Sequence, residues 1–444
     1  MHPLAAALLA VLAVSDQTGL ERALRSGAPV IQLPSTLVLT HEISIPAGDR
    51  PLEIRGAPNG SVVRMAKGFR GTAAFRARSR SHLRFARFAI EGDRSPSPSP
   101  RGLPPWNVSF ADFYVRNGIV MQGGEDLTLE RLRIANITDF PVIVSRSANV
   151  HIDQLTVEDS GSRNERGRNN TSGGILIEEG ARNFEVTGCT LRRILGNAIW
   201  THSNHDRNSG GRIAGNQISY VGRDAIEIGH ASGVVVENNE GQDIGYPADA
   251  VDVEGEGTPV ALDTAGNVDN SMYRKNTFRD VNGECINLDG FHAGEVRGNR
   301  CESAKPFDNY PNAHYGIVMG NTDPDVKVTG VTLADNVIIG AGYGGLFLIG
   351  SGNTITGNHL LMLNRAHCTG DGRTARCNYA LDQPDMLRSG IYLAGGAKRK
   401  DPAVDNVIKG NELQGFGVNR WCVQAAPGLD RKRNRIEANV CRGE

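Results

Sequence analysis

The chain has 444 residues, and its 48 Lys+Arg nearly cancel its 49 Asp+Glu, so no global field points to nucleic acid, an anionic membrane or a strongly basic ligand. With 54 glycines, 39% hydrophobics and 6% aromatics, it suits many tight turns between short strands better than a helical bundle. Length alone would suggest two or three domains, a prior that fails for repeat proteins, which grow by stacking.

Near the start, Ala5-Ala6-Ala7-Leu8-Leu9-Ala10-Val11-Leu12-Ala13 is an apolar run of signal-peptide length, and Ala13-Val14-Ser15 offers small residues for cleavage. Residues 1–15 are therefore read as a signal peptide, and the protein as secreted or periplasmic. No other apolar stretch approaches the ~20 residues that span a bilayer. Thr18-Gly19-Leu20-Glu21 reads as a capping box opening a helix over 20–26 that stops at Gly27. Residues 16–50 are assigned to an N-terminal cap and first strands, and 51–444 to one continuous solenoid. The segment from Ser95-Pro96-Ser97-Pro98-Ser99-Pro100 to Pro104-Pro105-Trp106 reads as an irregular loop rather than a domain linker, because strand signals continue on both sides.

From residue 117 a short pattern recurs: a turn residue, a small residue, then two apolar residues separated by one variable position. It appears as Asn117-Gly118-Ile119-Val120-Met121, Gly173-Gly174-Ile175-Leu176-Ile177, Asn197-Ala198-Ile199-Trp200-Thr201 and Asp224-Ala225-Ile226-Glu227-Ile228. It continues through Asp249-Ala250-Val251-Asp252-Val253, Glu284-Cys285-Ile286-Asn287-Leu288, Tyr315-Gly316-Ile317-Val318-Met319, Gly344-Gly345-Leu346-Phe347-Leu348 and Ser389-Gly390-Ile391-Tyr392-Leu393. Strand side chains alternate faces, so the apolar pair points inward and the residue between them outward. Ile199, Ile226, Val251, Ile286 and Ile317 are expected to stack in one inward column. A second column, Asn216, Asn239, Asn276, Asn299, Asn336, Asn358, Asn411 and Asn439 with Cys189 in the same slot one coil earlier, can pass amide hydrogen bonds up the stack.

These strands and Gly-Asn turns resemble the pectate-lyase-like superfamily of right-handed parallel β-helices over roughly residues 50–444. The resemblance implies an all-β, single-stranded parallel β-helix with a short N-terminal capping helix. It fixes no reaction, since that superfamily includes polysaccharide lyases, glycoside hydrolases, uronate epimerases, phage tailspikes and adhesins. The ordered motifs of a polygalacturonase site do not follow Asn321-Thr322-Asp323, and the Asp-Pro-His-Asp signature of alginate-type epimerases does not occur. Of the seven cysteines, Cys368 and Cys377 bracket a polar loop they could close, and Cys422 and Cys441 could tie down the C-terminal end, although Cys301 and Cys441 read better as inward core residues.

Chemistry is expected where three copies align. They place Asp224, Asp249 and Glu284 in one column, Glu227, Asp252 and Asn287 in the next, and Glu254 and Asp289 two residues further, with His202 one coil before. Rungs about 4.8 Å apart crowd these seven carboxylates, which must be protonated, paired or cation-bound. Asp252, with carboxylates on both neighbouring rungs and beside it at Glu254, is the expected centre. His202, His230, His292 and Arg207 line one rim, the insert 160–168 carries three arginines, and outward Trp200, Phe347 and Tyr392 offer rings for sugar stacking. A glycoside hydrolase using paired carboxylates, with no cofactor, is the leading reading. Under the alternative of a polysaccharide lyase acting on uronates, Glu227, Asp252, Glu254 and Asp289 hold Ca²⁺ and His202, Arg207, His230 or Lys305 is the base. A non-enzymatic carbohydrate-binding or adhesin-type β-helix is the third reading. In each, the partner is a polysaccharide or oligosaccharide rather than nucleic acid.

Overall fold

The computed structural model describes residues 11–94, 102–323, 326–378 and 380–444. The described strands join in one 42-stranded sheet of parallel neighbours, wound as a right-handed parallel β-helix. Each coil contributes three strands. Gln217–Val221, Ile226–Ser232 and Val235–Glu237 lie on Thr190–Ile194, Asn197–His202 and Arg212–Ala214 of the coil before. The core is the inside of this tube. One inward column runs Ile119, Val142, Ile175, Ile199, Ile226, Leu262, Ile286, Ile317, Leu346, Ile391, Val423, all buried. Each such aliphatic side chain removed from water contributes about 1.5–3 kcal/mol.

Three coils of this column, those of Val142, Leu262 and Val423, differ from the nine copies read in the sequence. The Val142 coil carries Pro141 where the other copies have a small residue, which hides it from the pattern. The copy at 249–253 is no strand at all: Ala248–Ala250 is a 3₁₀ turn and Val253–Glu256 one helical turn, and Leu262 takes the column position assigned to Val251. Between Ile226 and Leu262 the chain leaves the coil as a loop over residues 245–258, then re-enters in Val260–Asp269.

The asparagine column forms as expected. Asn276 is representative: its Oδ1 accepts from the Asn239 backbone N–H at 3.0 Å and the Asn239 amide at 2.9 Å, and its Nδ2 donates to Asn299 Oδ1 at 2.8 Å and Val236 O at 2.9 Å. The residue before each asparagine turns through the left-handed region, with φ of 64° at Gly215 and Gly298 and 65° at Gly357 and Gly410. Glycine predominates there because it alone meets no Cβ penalty. Asn353, Asn406 and Asn434 form a second ladder that the sequence did not suggest.

The helix Gln17–Ser26 covers the first coil. Its cap is Asp16, whose carboxylate accepts from Gly19 N–H at 2.7 Å, rather than Thr18, and it ends at Gly27 with φ 73°. Most of the apolar N-terminal run lies outside the described residues; its end, Val11–Ala13, pairs in parallel with Val30–Gln32. Residues 95–101 of the Pro-rich segment are likewise outside them. Three disulfides form: Cys368–Cys377 and Cys422–Cys441, the two pairings the sequence offers, and Cys285–Cys301, in which Cys301 is buried in the core as expected, while Cys441 is only half-buried. Cys189, buried among apolar side chains, stays a thiol that burial pushes up to about 12.

Candidate active site

With the loop 245–258 removed from the register, the residue on the rung after Glu227 is Asp263, not Asp252. Trp200, Glu227, Asp263 and Asn287 stand in succession on one face. Asp224 begins the same coil as Glu227, and the oxygens of Asp224, Glu227 and Asp263 all lie within 4.8 Å of one another, buried. Of the three, Glu227 lines a groove of about 440 Å³, with Leu103, Thr171, Trp200, His202, Arg223, His230, Gly255, Glu256, Ala265, Gly266, Thr322 and Asp323.

Each carboxylate is held differently. Asn197, one rung below, accepts from Asp224 N–H at 3.2 Å through its Oδ1 and donates from Nδ2 to Glu227, so one amide fixes both acids. Asp224 Oδ1 accepts from Val260 N–H at 2.7 Å, and its Oδ2 lies 3.5 Å from Arg223 Nη2. Arg223 Nη1 reaches Glu256 at 2.9 Å, which brings the loop 245–258 over the acids. Asp263 Oδ1 is buried without a hydrogen-bond partner. Burial, then the Asp224 charge, pushes Glu227 up to about 8, with Arg223 working the other way. Burial also raises Asp224 and Asp263, the latter further through Asp224 and Glu227. Three carboxyls this close beside one guanidinium titrate as a coupled set, in which Glu227 holds its proton at neutral pH.

The imidazoles expected on the rim are present. His202 and His230 meet edge to face at 6.1 Å, and burial, then the neighbouring His230, lowers His202 to about 4. Burial also lowers His230. Both are uncharged at neutral pH. Gly266, at φ 75°, makes room for one of them: a Cβ there would stand 2.4 Å from His230 Nε2.

The remaining expected residues separate from this centre. Asp252 caps the helical turn Val253–Glu256 and is clamped by Arg166 Nη2 at 2.8 Å and Asn164 Nδ2 at 2.6 Å, while Arg166 Nη1 holds exposed Glu254 at 2.9 Å. Asp249 is exposed on the same loop. The insert 160–168 thus brings Arg166 to the loop 245–258. Asp289 accepts from Thr322 N–H at 2.7 Å and from its hydroxyl. Glu284 is buried, with His314 Nδ1 at 2.8 Å. Arg207 pairs with Asp269, whose rung neighbour is His292, and Lys305 pairs with Asp280 at 2.6 Å. The expected Ca²⁺ set of Glu227, Asp252, Glu254 and Asp289 is therefore not assembled. Among the described residues, the acids grouped within cation-binding distance are Asp224, Glu227 and Asp263, and Arg223 already supplies positive charge beside them.

The aromatic platform is also corrected. Trp200 is 3% exposed, packed on Phe110 at 5.0 Å and His202 at 5.2 Å beneath the turn Phe110–Phe113, whose first N–H groups donate to Glu178 at 2.8 and 2.9 Å. Phe347 and Tyr392 are buried as well, the Tyr392 hydroxyl bonded to Gln383 at 2.9 Å. An outward strand position is exposed only where no loop folds back. Here folded-back segments cover the face, and at the acidic rungs Glu227 still reaches the groove.

Asp252→Asn is therefore predicted to loosen the loop rather than to remove a reacting group. It keeps hydrogen bonding but removes the charge facing half-exposed Arg166, a cost of about 1–2 kcal/mol after solvent screening. Limited proteolysis should cut faster within residues 245–258, with turnover within ~10-fold of wild type. A loss beyond ~10²-fold with unchanged proteolysis would return Asp252 to the chemistry.

Residues 107–264 and 260–441 match the model of the right-handed β-helix region, and the chain belongs to that family. No curated protein matches the sequence significantly. Among solved structures, the chain is similar to the N-terminal fragment of gene product 12 of bacteriophage Phi29, with TM-score 0.61 and 12% identity over 96% of this chain and 70% of that one. It is similar to PfbA, a surface adhesin of Streptococcus pneumoniae, with TM-score 0.58 and 10% identity over 80% and 91%. It is similar also to the catalytic domain of a GH87 α-1,3-glucanase in complex with tetrasaccharides, with TM-score 0.53 and 11% identity over 97% and 68%. At these identities the likeness is one of fold.

Proposed function

We propose that the protein is a glycoside hydrolase that cleaves a polysaccharide in the groove over Asp224, Glu227 and Asp263. One observation carries the reading: Glu227 lines the groove and, crowded by two buried carboxyls, holds its proton up to about pH 8. Glycosidic hydrolysis needs such a protonated acid next to a second carboxylate. Glu227 donates to the glycosidic oxygen as the anomeric C–O bond breaks. Asp263, whose Oδ1 has no partner, is the second carboxyl, acting on water or on the anomeric carbon in the fraction of molecules in which the coupled set leaves it ionised. Asp224, whose ionised form the Val260 N–H and Arg223 favour against burial, is the member of the set best placed to carry negative charge facing the cationic transition state.

The same fold holds tetrasaccharides in the GH87 catalytic domain, which supports a carbohydrate partner. Three disulfides support a site of action outside the reducing cytosol, in the secreted or periplasmic setting that the N-terminal run suggests. The test is incubation with a panel of plant, algal and microbial polysaccharides, with and without EDTA. Reducing ends should appear without an unsaturated, ultraviolet-absorbing product and without dependence on divalent metal. Unsaturated products would convert the reading to a lyase, and no cleavage of any glycan would leave a binding protein.

A further inference from the structure

Building on the hydrolase reading, we propose that the groove accepts uncharged glycans and turns away uronates, with Glu256 as the residue that sets this choice. The charges that face the groove decide it. From the loop 245–258 comes Glu256 and from the far rim Asp323, while Glu227 of the coil itself lines the groove as a neutral acid. Among the described residues lining it, Arg223 is the one arginine or lysine. It is already engaged, by Glu256 Oε2 at 2.9 Å and Asp224 Oδ2 at 3.5 Å, with the Arg223 and Glu256 side chains each only 15% exposed.

Arginines on neighbouring segments are occupied too, Arg166 by Asp252 and Glu254 and Arg207 by Asp269. His202 and His230 face each other in the groove, and their lowered basicity leaves them neutral hydrogen-bonding groups. A sugar carboxylate entering here would lose its hydration beside like charges and find no cation to replace it. Sugar hydroxyls lose much less, since the two imidazoles and the Thr171 and Thr322 side chains can exchange hydrogen bonds with them. Specificity by an unfavourable element against the wrong ligand is a general device. Glu256 supplies it by closing off the guanidinium that a uronate would otherwise use.

Glu256→Gln should expose this. The full chain and its variants are titrated calorimetrically with neutral gluco-, galacto- and xylo-oligosaccharides and with galacturonate and mannuronate oligomers of equal length. Wild type is expected to bind at least one neutral oligosaccharide, and any uronate at least ~10-fold more weakly. Glu256→Gln should raise uronate affinity by at least ~10-fold and change neutral binding much less, while Glu256→Asp, which keeps the charge, should go on excluding uronates. Thermal unfolding of both variants checks that they fold. Uronates bound by wild type as tightly as the best neutral sugar, or uronate affinity untouched in a folded Glu256→Gln, would overturn the proposal. Hydrolysis of a uronate polymer would overturn it and leave the hydrolase reading intact. Neutral-sugar binding with no cleavage would overturn the hydrolase reading and leave the selectivity. Binding of no oligosaccharide at all would overturn both.

Discussion

Glu227→Gln should lower kcat by about 10²- to 10⁴-fold on whatever glycan the wild type cleaves, because the amide keeps the shape and has no proton to donate. The wild-type activity should fall as pH rises through about 8, where Glu227 ionises. The same group ties activity to stability. Its carboxyl ordinarily titrates at 4.5 and is raised to about 8 in the folded chain, so the native state binds the proton more tightly than the unfolded one. Stabilisation from the neutral acid is complete below pH 4.5 and is lost as pH climbs to and past about 8. Relative to Glu227→Gln, wild type should therefore lose Tm across that window, and paired unfolding scans at several pH values measure it. A constant Tm difference, with full turnover in the variant, would place the proton donor elsewhere.

That centre was half legible in the sequence. Glu227 and Asp224 were readable because they share a coil with Ile226, and period-two alternation assigns a residue to a face once one inward neighbour is known. Asp263 was missed because two segments fit the pattern after Ile226. Asp249-Ala250-Val251-Asp252-Val253 matched every position, whereas Ala261-Leu262-Asp263-Thr264 has a threonine where most copies are aliphatic. The Asn197 copy carries Thr201 there too, and the 24-residue step from Leu262 to Ile286 equals that from Ile175 to Ile199, so both clues were present. Choosing the wrong segment moved Asp252 onto the sheet, when its actual partners, Asn164 and Arg166, come from a loop some eighty residues earlier. Arg223 and Glu256 were not singled out, since a salt bridge between a turn and a distant loop leaves no periodic trace.

Trp200 marks a second boundary of what patterning reveals. Alternation placed its ring outward, which is correct for the coil, yet Phe110 and Phe140 pack over it. Whether an outward face meets solvent depends on segments inserted elsewhere in the chain, and those carry no register with the repeat. The inward columns needed no such information. They are set by nearest-neighbour stacking, which the chain repeats coil after coil.

The asparagine ladder is where that repetition should be most costly to break. Asn276→Ala should destabilise the chain by about 3–5 kcal/mol, because it leaves several polar groups in a fully buried turn without partners. The Asn239 N–H and amide lose their acceptor at 3.0 and 2.9 Å, and Val236 O loses its donor at 2.9 Å. Asn276→Asp keeps the acceptor but removes the donor and buries a charge, so it should be no milder. Asn439→Ala, in the last rung and partly exposed, loses only its bonds to Asn411 and to Ile408 O, with water able to replace them, and should cost about 1 kcal/mol. Because each coil contacts only its neighbours, the Asn276 defect should appear first as local opening. Amide exchange should therefore accelerate around Asn239, Asn276 and Asn299 before it does in the first coils, alongside a lowered urea midpoint. Equal penalties for Asn276→Ala and Asn439→Ala would mean that the ladder is a consequence of the stacking rather than one of the interactions that hold it.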